Sequence, residues 1–208
     1  MSEAIKFLFD GPADASQRLA LAHGAGAPMD SPFMTAFAEG LGARGIRVAR
    51  FEFPYMAARR NTGRKLPPDR QPVLLDAWAR AVQALGHRET LVIGGKSMGG
   101  RLASMVADTL GVRGLACLGY PFHPPGKPAQ TRITHLADLK TPALIVQGTR
   151  DPLGGRTDVA GYALSPSIEI AWIEDGDHDL KPLKRSGRTQ DECWRAAMDR
   201  VAEFMNKI

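Results

Sequence analysis

Short apolar runs alternate along the chain with longer stretches in which apolar residues recur at helical spacing. We predict strands over Ile5–Phe9, Arg18–Ala22, Ile46–Phe51, Thr90–Gly94, Gly114–Leu118, Ala143–Gln147 and Ile168–Ile173. We predict helices over Ser31–Ala43, Gln71–Leu85, Ser97–Leu110 and Thr189–Met205. Several strands are continuously apolar, which is typical of a parallel sheet covered on both faces. The pattern therefore predicts an α/β fold with a mostly parallel, doubly wound sheet flanked by helices.

The ends and the irregular segments of this pattern define the domain organisation. The first two strands are joined by a short connection over residues 10–17, so we expect them to form an antiparallel edge. Residues 120–142 are rich in proline and form the longest irregular stretch, which is too short for a separate cap domain. A chain of 208 residues fits one domain, so we predict a single domain over 1–208 with a minimal cap or none.

Composition excludes several classes of protein. No apolar run approaches the roughly 20 residues that a membrane-spanning helix needs. The first residues lack the basic and apolar regions of a secretory signal. The two cysteines, Cys117 and Cys193, lie far apart and match no metal-binding spacing. We therefore expect a cytoplasmic protein with no metal and no cofactor.

One segment has the spacing of a nucleophile elbow. Gly95-Lys96-Ser97-Met98-Gly99 lies directly after a predicted strand and directly before a predicted helix. Glycines two residues on either side of Ser97 leave room for the sharp turn that such a serine needs. A phosphate-binding loop would require glycine at position 90, where the chain has Thr90. A glycine-rich turn without catalytic role is the alternative explanation of this motif taken alone.

An acid and a histidine follow two later strands. Asp151 comes directly after the strand Ala143–Gln147, and His178 follows Ile168–Ile173. The order Ser97, Asp151, His178 is the order of a serine hydrolase triad on an open α/β sheet. Three further carboxyl groups flank His178, those of Asp175, Asp177 and Asp179. Because near neighbours in a loop rarely reach the correct ring nitrogen, we predict that Asp151 orients His178.

Two loops supply candidate groups around the serine. His23-Gly24-Ala25-Gly26 follows the strand Arg18–Ala22, and we assign an oxyanion hole to the backbone N–H groups of Ala25 and Met98. His23 itself is expected to brace this loop and not to act as a base. Three residues after the strand Gly114–Leu118 are candidates for lining the substrate pocket, with packing beneath the proline-rich loop as the alternative: Tyr120, Phe122 and His123.

The net charge of +5 comes from two segments. Residues 59–70 and residues 181–188 each have a net charge of +4, and each follows a predicted strand on the carboxyl side of the sheet. Two interpretations stay open: a cationic rim that attracts an anionic small-molecule substrate, or two solvated loops. The segments lack interleaved aromatic residues, which argues against nucleic-acid binding.

The chain resembles the α/β-hydrolase superfamily over essentially its whole length. More narrowly, it is similar to the bacterial branch of the family that includes testis-expressed protein 30 and subunit 3 of the NSL histone-acetyltransferase complex. The resemblance rests on His23–Gly26, Gly94–Arg101, Gly119–Lys127, Gln147–Asp151 and Gly176–His178. It implies an α/β-hydrolase fold in a single domain, without indicating a substrate.

Two functions are compatible with these residues. The first is a serine hydrolase that cleaves a small ester, thioester or amide through an acyl-enzyme on Ser97. In it His178 is the general acid and base, and Asp151 orients the imidazole. The second is a non-catalytic α/β-hydrolase-fold module that binds a partner or nucleic acid through its basic face. The complete Ser–Asp–His set and the two glycines around Ser97 favour the hydrolase.

Overall fold

A seven-stranded sheet forms the centre of the protein in this computed structural model, which describes residues 4–208. The strands are β1 (Phe7–Asp10), β2 (Arg18–Ala22), β3 (Arg47–Phe51), β4 (Leu91–Lys96), β5 (Gly114–Leu118), β6 (Ala143–Gly148) and β7 (Ile168–Ile173). Their order in the sheet is β1-β3-β2-β4-β5-β6-β7. All neighbours are parallel except β1 and β3. The predicted mostly parallel, doubly wound sheet is confirmed.

The antiparallel edge differs from the prediction in its partner. Strand β1 pairs with β3 and not with β2, so that Phe7 lies opposite Phe51. Strand β2 is buried from Leu19 to Ala22 and is hydrogen-bonded on both sides, to β3 and β4. Phe9 of β1 is half-exposed, which is compatible with an edge position, where one side of the strand faces solvent. Proximity along the chain did not decide the pairing, because the more apolar strand takes the interior position.

Within residues 4–208, six helices connect and cover the strands. They are α1 (Pro32–Gly42), α2 (Pro54–Thr62), α3 (Gln71–Leu85), α4 (Met98–Leu110), α5 (Arg156–Val159) and α6 (Gln190–Lys207). Proline occupies the first turn of α1, α2 and α3, where its missing N–H costs nothing. Helix α6 begins with a capping box, in which Thr189 and Glu192 bind each other's backbone N–H groups.

Two apolar layers cover the sheet, one on each face. On one side Trp78 of α3 and Leu102 of α4 pack with Phe51 and Ile93. On the other side α1 and α6 pack against the sheet, and Phe37 is completely buried there. Burial on both faces is the physical reason for the continuously apolar strands. Within residues 4–208, no helix has the length and apolar character needed to cross a membrane.

The first part of the basic segment 59–70 is helical up to Thr62, where the sequence predicted a loop, and residues 63–70 are irregular. Helix α2 begins at Pro54 and ends at Thr62, and its C-cap residue Gly63 has a positive φ of 68°. Tyr55 and Met56 are its buried residues, so it presents only a narrow apolar face to the core. Residues 120–142 are irregular as predicted, apart from one 3₁₀ turn over Thr134–Leu136.

Candidate active site

Ser97 occupies a strained turn between β4 and α4. Its φ of 52° and ψ of −116° lie outside the regions that non-glycine residues ordinarily adopt. The turn is held by two backbone hydrogen bonds, one donated by Ser97 N to Leu118 O at 2.9 Å and one donated by Arg101 N to Ser97 O at 3.0 Å. The serine therefore sits at the N-terminus of α4 and remains partly exposed.

The glycines beside Ser97 are required by the close approach of β2. A Cβ atom on either Gly95 or Gly99 would collide with the carbonyl oxygen of Ala22. On Gly99 it would also lie 2.7 Å from the carbonyl oxygen of His23. The elbow can pack against β2 only because neither position has a side chain, which agrees with the argument from spacing.

His178 connects Ser97 to Asp151. Its Nδ1 lies 2.8 Å from Asp151 Oδ2, and its Nε2 lies 2.9 Å from Ser97 Oγ. Because a carboxylate only accepts hydrogen bonds, Nδ1 is the donor to Asp151. In the neutral imidazole Nε2 is then the acceptor for the serine hydroxyl. The structure thus brings together the three residues predicted from the sequence, from loops after three different strands.

Asp151 is held by more than the histidine. Its side chain is fully buried, and it accepts hydrogen bonds from Gln147 Nε2 at 2.9 Å and Leu153 N at 2.8 Å. Gln147 is also fully buried, and its Oε1 accepts from Tyr120 N at 2.7 Å. Gln147 was not among the site residues predicted from the sequence. A lone amide at the end of the otherwise apolar β6 is the signal that could have identified it.

The carboxylates next to His178 in sequence have other partners. Asp177 Oδ1 accepts from the backbone N–H groups of Asp179 and Lys181, each at 2.9 Å, and so shapes the loop. The Asp179 carboxylate pairs with Lys96. Among the residues that the structure describes, the carboxylate in contact with the imidazole is that of Asp151.

His23 braces the loop in front of Ser97. It is completely buried, and its Nε2 accepts a hydrogen bond from Phe53 N at 3.1 Å. Its Nδ1 therefore carries the proton and donates to Gly24 O at 2.7 Å. Burial lowers the pKa of His23, since the charged form is poorly solvated there. A neutral histidine bonded on both sides has no free nitrogen for proton transfer.

The loop at Ala25 is anchored by α2. Tyr55 on that helix donates its hydroxyl to Ala25 O at 3.0 Å, and burial raises the pKa of Tyr55 to about 12. Ala25 lines the same cavity as Ser97. Met98 is the first residue of α4, where backbone N–H groups have no partner within the helix. Within residues 4–208 no protein group accepts a hydrogen bond from the N–H of Ala25 or of Met98.

A cavity of about 540 Å³ opens above Ser97 on the side of α1 and α6. Ser97 and His178 lie in its wall. The aromatic rings of Phe33 and Trp194 form an apolar side, with centroids 5.2 Å apart. The polar side chains that line the cavity besides Ser97 and His178 are those of Ser31, Lys96, Asp179, Lys181 and Gln190.

Tyr120, Phe122 and His123 do not line this cavity. All three are buried, and the two aromatic rings pack in the layer that contains α3 and α4. The chain turns at Gly119, which has a φ of 64°, and then runs away from the side of α1 and α6. The pocket-lining expectation is therefore wrong for their side chains, and packing beneath the proline-rich loop is the observed arrangement. Tyr120 still contributes its backbone, which binds Gln147.

The basic segments differ in their relation to the cavity. In 59–70, Arg59 stacks over the Tyr55 ring at 5.0 Å, and Arg60 is paired with Asp30 and Glu52. Arg60 lines a different cavity, of about 340 Å³, which the triad does not border. From 181–188, Lys181 alone reaches the Ser97 cavity among the residues described. A cationic rim, one of the two interpretations left open by the sequence, is therefore not formed by both segments, because the ion pairs of Arg60 and helix α2 hold the first segment elsewhere.

A second serine–histidine contact joins Ser104 of α4 to His135. Ser104 Oγ is 2.8 Å from His135 Nε2, but its hydroxyl donates to Arg101 O at 2.7 Å. With its single hydrogen used, Ser104 can only accept from the histidine, which is the reverse of what a nucleophile needs. Ser104 is 3% exposed, so this pair is a packing contact.

Comparison with known proteins agrees with this fold. The family model of the alpha/beta hydrolase domain matches residues 15–206. Among solved structures, the chain is similar to dienelactone hydrolase from Anabaena variabilis, at 22% identity over 98% of this chain and 91% of that chain, with a TM-score of 0.72. It is also similar to an alpha-beta serine hydrolase homologue from Coxiella burnetii, at 20% identity over 95% and 91%, with a TM-score of 0.68.

A third similar structure comes from Xanthomonas campestris and is described as an a/b serine hydrolase without lid, at 20% identity over 94% of this chain and 87% of that chain, with a TM-score of 0.63. At these identities the neighbours establish the fold, and the family model covers most of the chain. The sheet order, the helices on both faces and the elbow at Ser97 agree with it. The chain belongs to the alpha/beta hydrolase domain family.

Proposed function

We propose that this protein is a serine hydrolase that cleaves a small ester, thioester or amide through an acyl-enzyme on Ser97. The observation that carries the proposal is the unbroken hydrogen-bonded chain from Ser97 Oγ through His178 to Asp151, at the wall of an open cavity. A nucleophile bonded to a base that is itself oriented by an acid is the arrangement needed for acyl transfer. The motifs of the narrower resemblance to the testis-expressed protein 30 family include all three residues.

The proton path follows from the tautomer. As Ser97 Oγ forms a bond to the substrate carbonyl carbon, His178 Nε2 takes its proton, and Asp151 stabilises the resulting imidazolium. The tetrahedral intermediate expels the alcohol, thiol or amine, which receives that proton from His178. Water then attacks the acyl group, again giving a proton to His178 Nε2. The bond to Ser97 breaks, the serine recovers its proton, and the carboxylic acid is released.

The negative charge that develops on the substrate oxygen needs donors. We assign this role to the backbone N–H groups of Ala25 and Met98, which have no protein acceptor within residues 4–208. The N-terminus of α4 adds a favourable dipole at the same place. Tyr55 and His23 keep the Ala25 loop in position and so pre-organise the first of these donors.

The cavity supports a small substrate with an apolar portion. Its volume of about 540 Å³ lies in the range typical of small-molecule sites. We propose that the apolar portion packs against Phe33 and Trp194. Lys181 at the same cavity is exposed and favours an anionic group on the substrate, whereas the Lys96 charge is paired with Asp179. The cytoplasmic location stays a prediction from sequence.

Covalent labelling with a fluorophosphonate tests the proposal directly. The wild-type protein is expected to react at Ser97 and to hydrolyse members of a panel of esters, thioesters and amides. Ser97→Ala is expected to abolish both, with a loss on the order of 10⁶ in kcat, while the fold is retained. Ser104→Ala is the matched control and should keep both activities. Turnover that survives in Ser97→Ala would refute the assignment, and an unlabelled wild-type protein would favour the non-catalytic interaction module.

A further inference from the structure

Lys96 precedes the nucleophile and reaches the loop of the histidine. Its Nζ donates a hydrogen bond to the backbone carbonyl of His178 at 2.6 Å and lies 3.1 Å from Asp179 Oδ1. The lysine side chain is only 9% exposed, whereas that of Asp179 is 67% exposed. One ammonium group therefore joins two segments that are 82 residues apart in sequence and that contribute the nucleophile and its base.

The space that this ammonium group occupies depends on the absence of a side chain at a glycine. Gly119 has a φ of 64°, and a Cβ atom on it would lie 2.6 Å from His178 O and 3.0 Å from Lys96 Nζ. The same Cβ would lie 3.4 Å from His178 Nδ1, so the two nitrogens are no more than roughly 6.4 Å apart, within range of a direct charge effect. The Phe33 ring approaches the ammonium to 5.2 Å from its centroid. The group is thus enclosed by backbone, an aromatic ring and one carboxylate.

The loop that Lys96 holds does not keep its shape by secondary structure alone. It lies between β7 and α6, and Asp175 and Leu180 within it have positive φ values of 57° and 60°. Such conformations persist only when surrounding contacts enforce them. A charged donor on the carbonyl of His178 is a stronger restraint than a neutral one.

We propose that Lys96 is a positioning residue that keeps the imidazole of His178 in line with Ser97. The proposal rests on the serine hydrolase function proposed above. The hydrogen bond to His178 O fixes the backbone of the histidine itself, so its loss lets the ring move relative to Ser97 Oγ. Displacements of about 1 Å at a reacting group can lower a rate by about 100-fold.

The electrostatics of the group agree with this role. Burial lowers the pKa of Lys96, and the carboxylates of Asp179, Asp151 and Asp177, in that order, oppose the shift. The other cation at this cavity, Lys181, is exposed. Asp179 is therefore the main group that keeps the ammonium charged, and its removal makes the ammonium lose its proton at lower pH.

Lys96→Met tests the proposal, because methionine keeps most of the length but neither charge nor donor. Lys65→Met is the matched control at an exposed lysine outside the cavity. We expect kcat for an ester found in the panel to fall about 10- to 100-fold in Lys96→Met, with KM changed by less than about twofold. The rate of fluorophosphonate labelling should fall by a similar factor, and Lys65→Met should match wild type in all three measurements.

Asp179→Asn tests the same proposal independently, including in the case that Lys96→Met does not fold. It leaves Lys96 in place, and we expect the alkaline limb of the kcat profile to move to lower pH, because the ammonium loses the carboxylate that favours its charged form. An unmoved limb, an unchanged kcat in a folded Lys96→Met, or a raised KM with unchanged kcat would each overturn the proposal. If Ser97→Ala retains labelling, the hydrolase proposal itself has failed. If Ser97→Ala loses labelling while Lys96→Met does not, only the role of Lys96 is wrong.

Discussion

Replacement of the buried amide of Gln147 by leucine should damage both stability and turnover. A leucine side chain is similar in size to that of glutamine. The glutamine side chain, however, satisfies several buried polar groups. Its Nε2 lies within hydrogen-bond distance of Asp151 Oδ2 at 2.9 Å, Gly154 O at 3.0 Å and Tyr120 O at 3.1 Å. Its Oε1 accepts from Tyr120 N at 2.7 Å. Leucine replaces none of these contacts.

The size of the effect follows from the groups left without a partner. Each buried donor or acceptor that loses its hydrogen bond costs about 1–3 kcal/mol. Three backbone groups are abandoned, and leucine recovers part of the loss as apolar burial, so we expect the free energy of unfolding to fall by about 3–5 kcal/mol. For a chain of this length that corresponds to a decrease in Tm of roughly 10 °C. Asp151 also loses one charge-assisted bond, which predicts a decrease in kcat of about tenfold.

Urea unfolding followed by circular dichroism measures the first effect. Ester turnover, measured at a temperature where the variant is folded, reports the second. Gln83→Leu on the exposed side of α3 is the matched control and should change the free energy of unfolding by less than about 0.5 kcal/mol. Equal stability of Gln147→Leu and Gln83→Leu would show that the buried network does not contribute to folding as argued.

Three further outcomes are expected. Asp151→Asn should lower kcat by up to about 10⁴ without loss of fold. Asp177→Asn keeps the oxygen acceptor that shapes the loop and should have little effect on kcat. The reverse result would place the acid in the His178 loop. Gly99→Ala should abolish labelling and lower Tm, because its Cβ would collide with the backbone of β2, and a stable, reactive Gly99→Ala would contradict this. For an anionic ester, kcat/KM should fall between about 0.1 and 1 M salt, where the Debye length shrinks from about 10 to 3 Å. Lys181→Met should remove that dependence and Arg60→Met should not; salt dependence that persists in Lys181→Met would show that another group attracts the anion.

The three residues of the candidate triad were predictable because each lies just beyond the end of a parallel strand. Ser97 follows β4, Asp151 follows β6, and His178 follows β7. The carboxyl ends of parallel strands meet at one edge of a sheet, so residues placed just beyond them converge whatever the details of the loops. Local sequence was sufficient for this step.

Two supporting residues, Gln147 and Lys96, could not be selected in the same way. Each acts through a partner from a different loop: Gln147 binds Asp151 and the backbone of Tyr120, and Lys96 binds His178. The local pattern marks Gln147 as a lone polar residue in an apolar strand, but it does not show which distant group a buried amide or ammonium binds. Burial decides, because a polar group out of water must find a partner across the fold.

The sequence by itself determined the alternation of strands and helices, the elbow at Ser97 and the order of the triad residues, since these depend on apolar periodicity and on glycine. Only the tertiary structure decided which loops border the cavity. The chain turns away from the cavity at Gly119, before Tyr120. Helix α2 begins at Pro54, and the ion pairs of Arg60 keep residues 59–70 away from the cavity. The direction of a chain after a turn and the partner of a charge depend on contacts with distant elements, and periodicity along the chain contains no information about either.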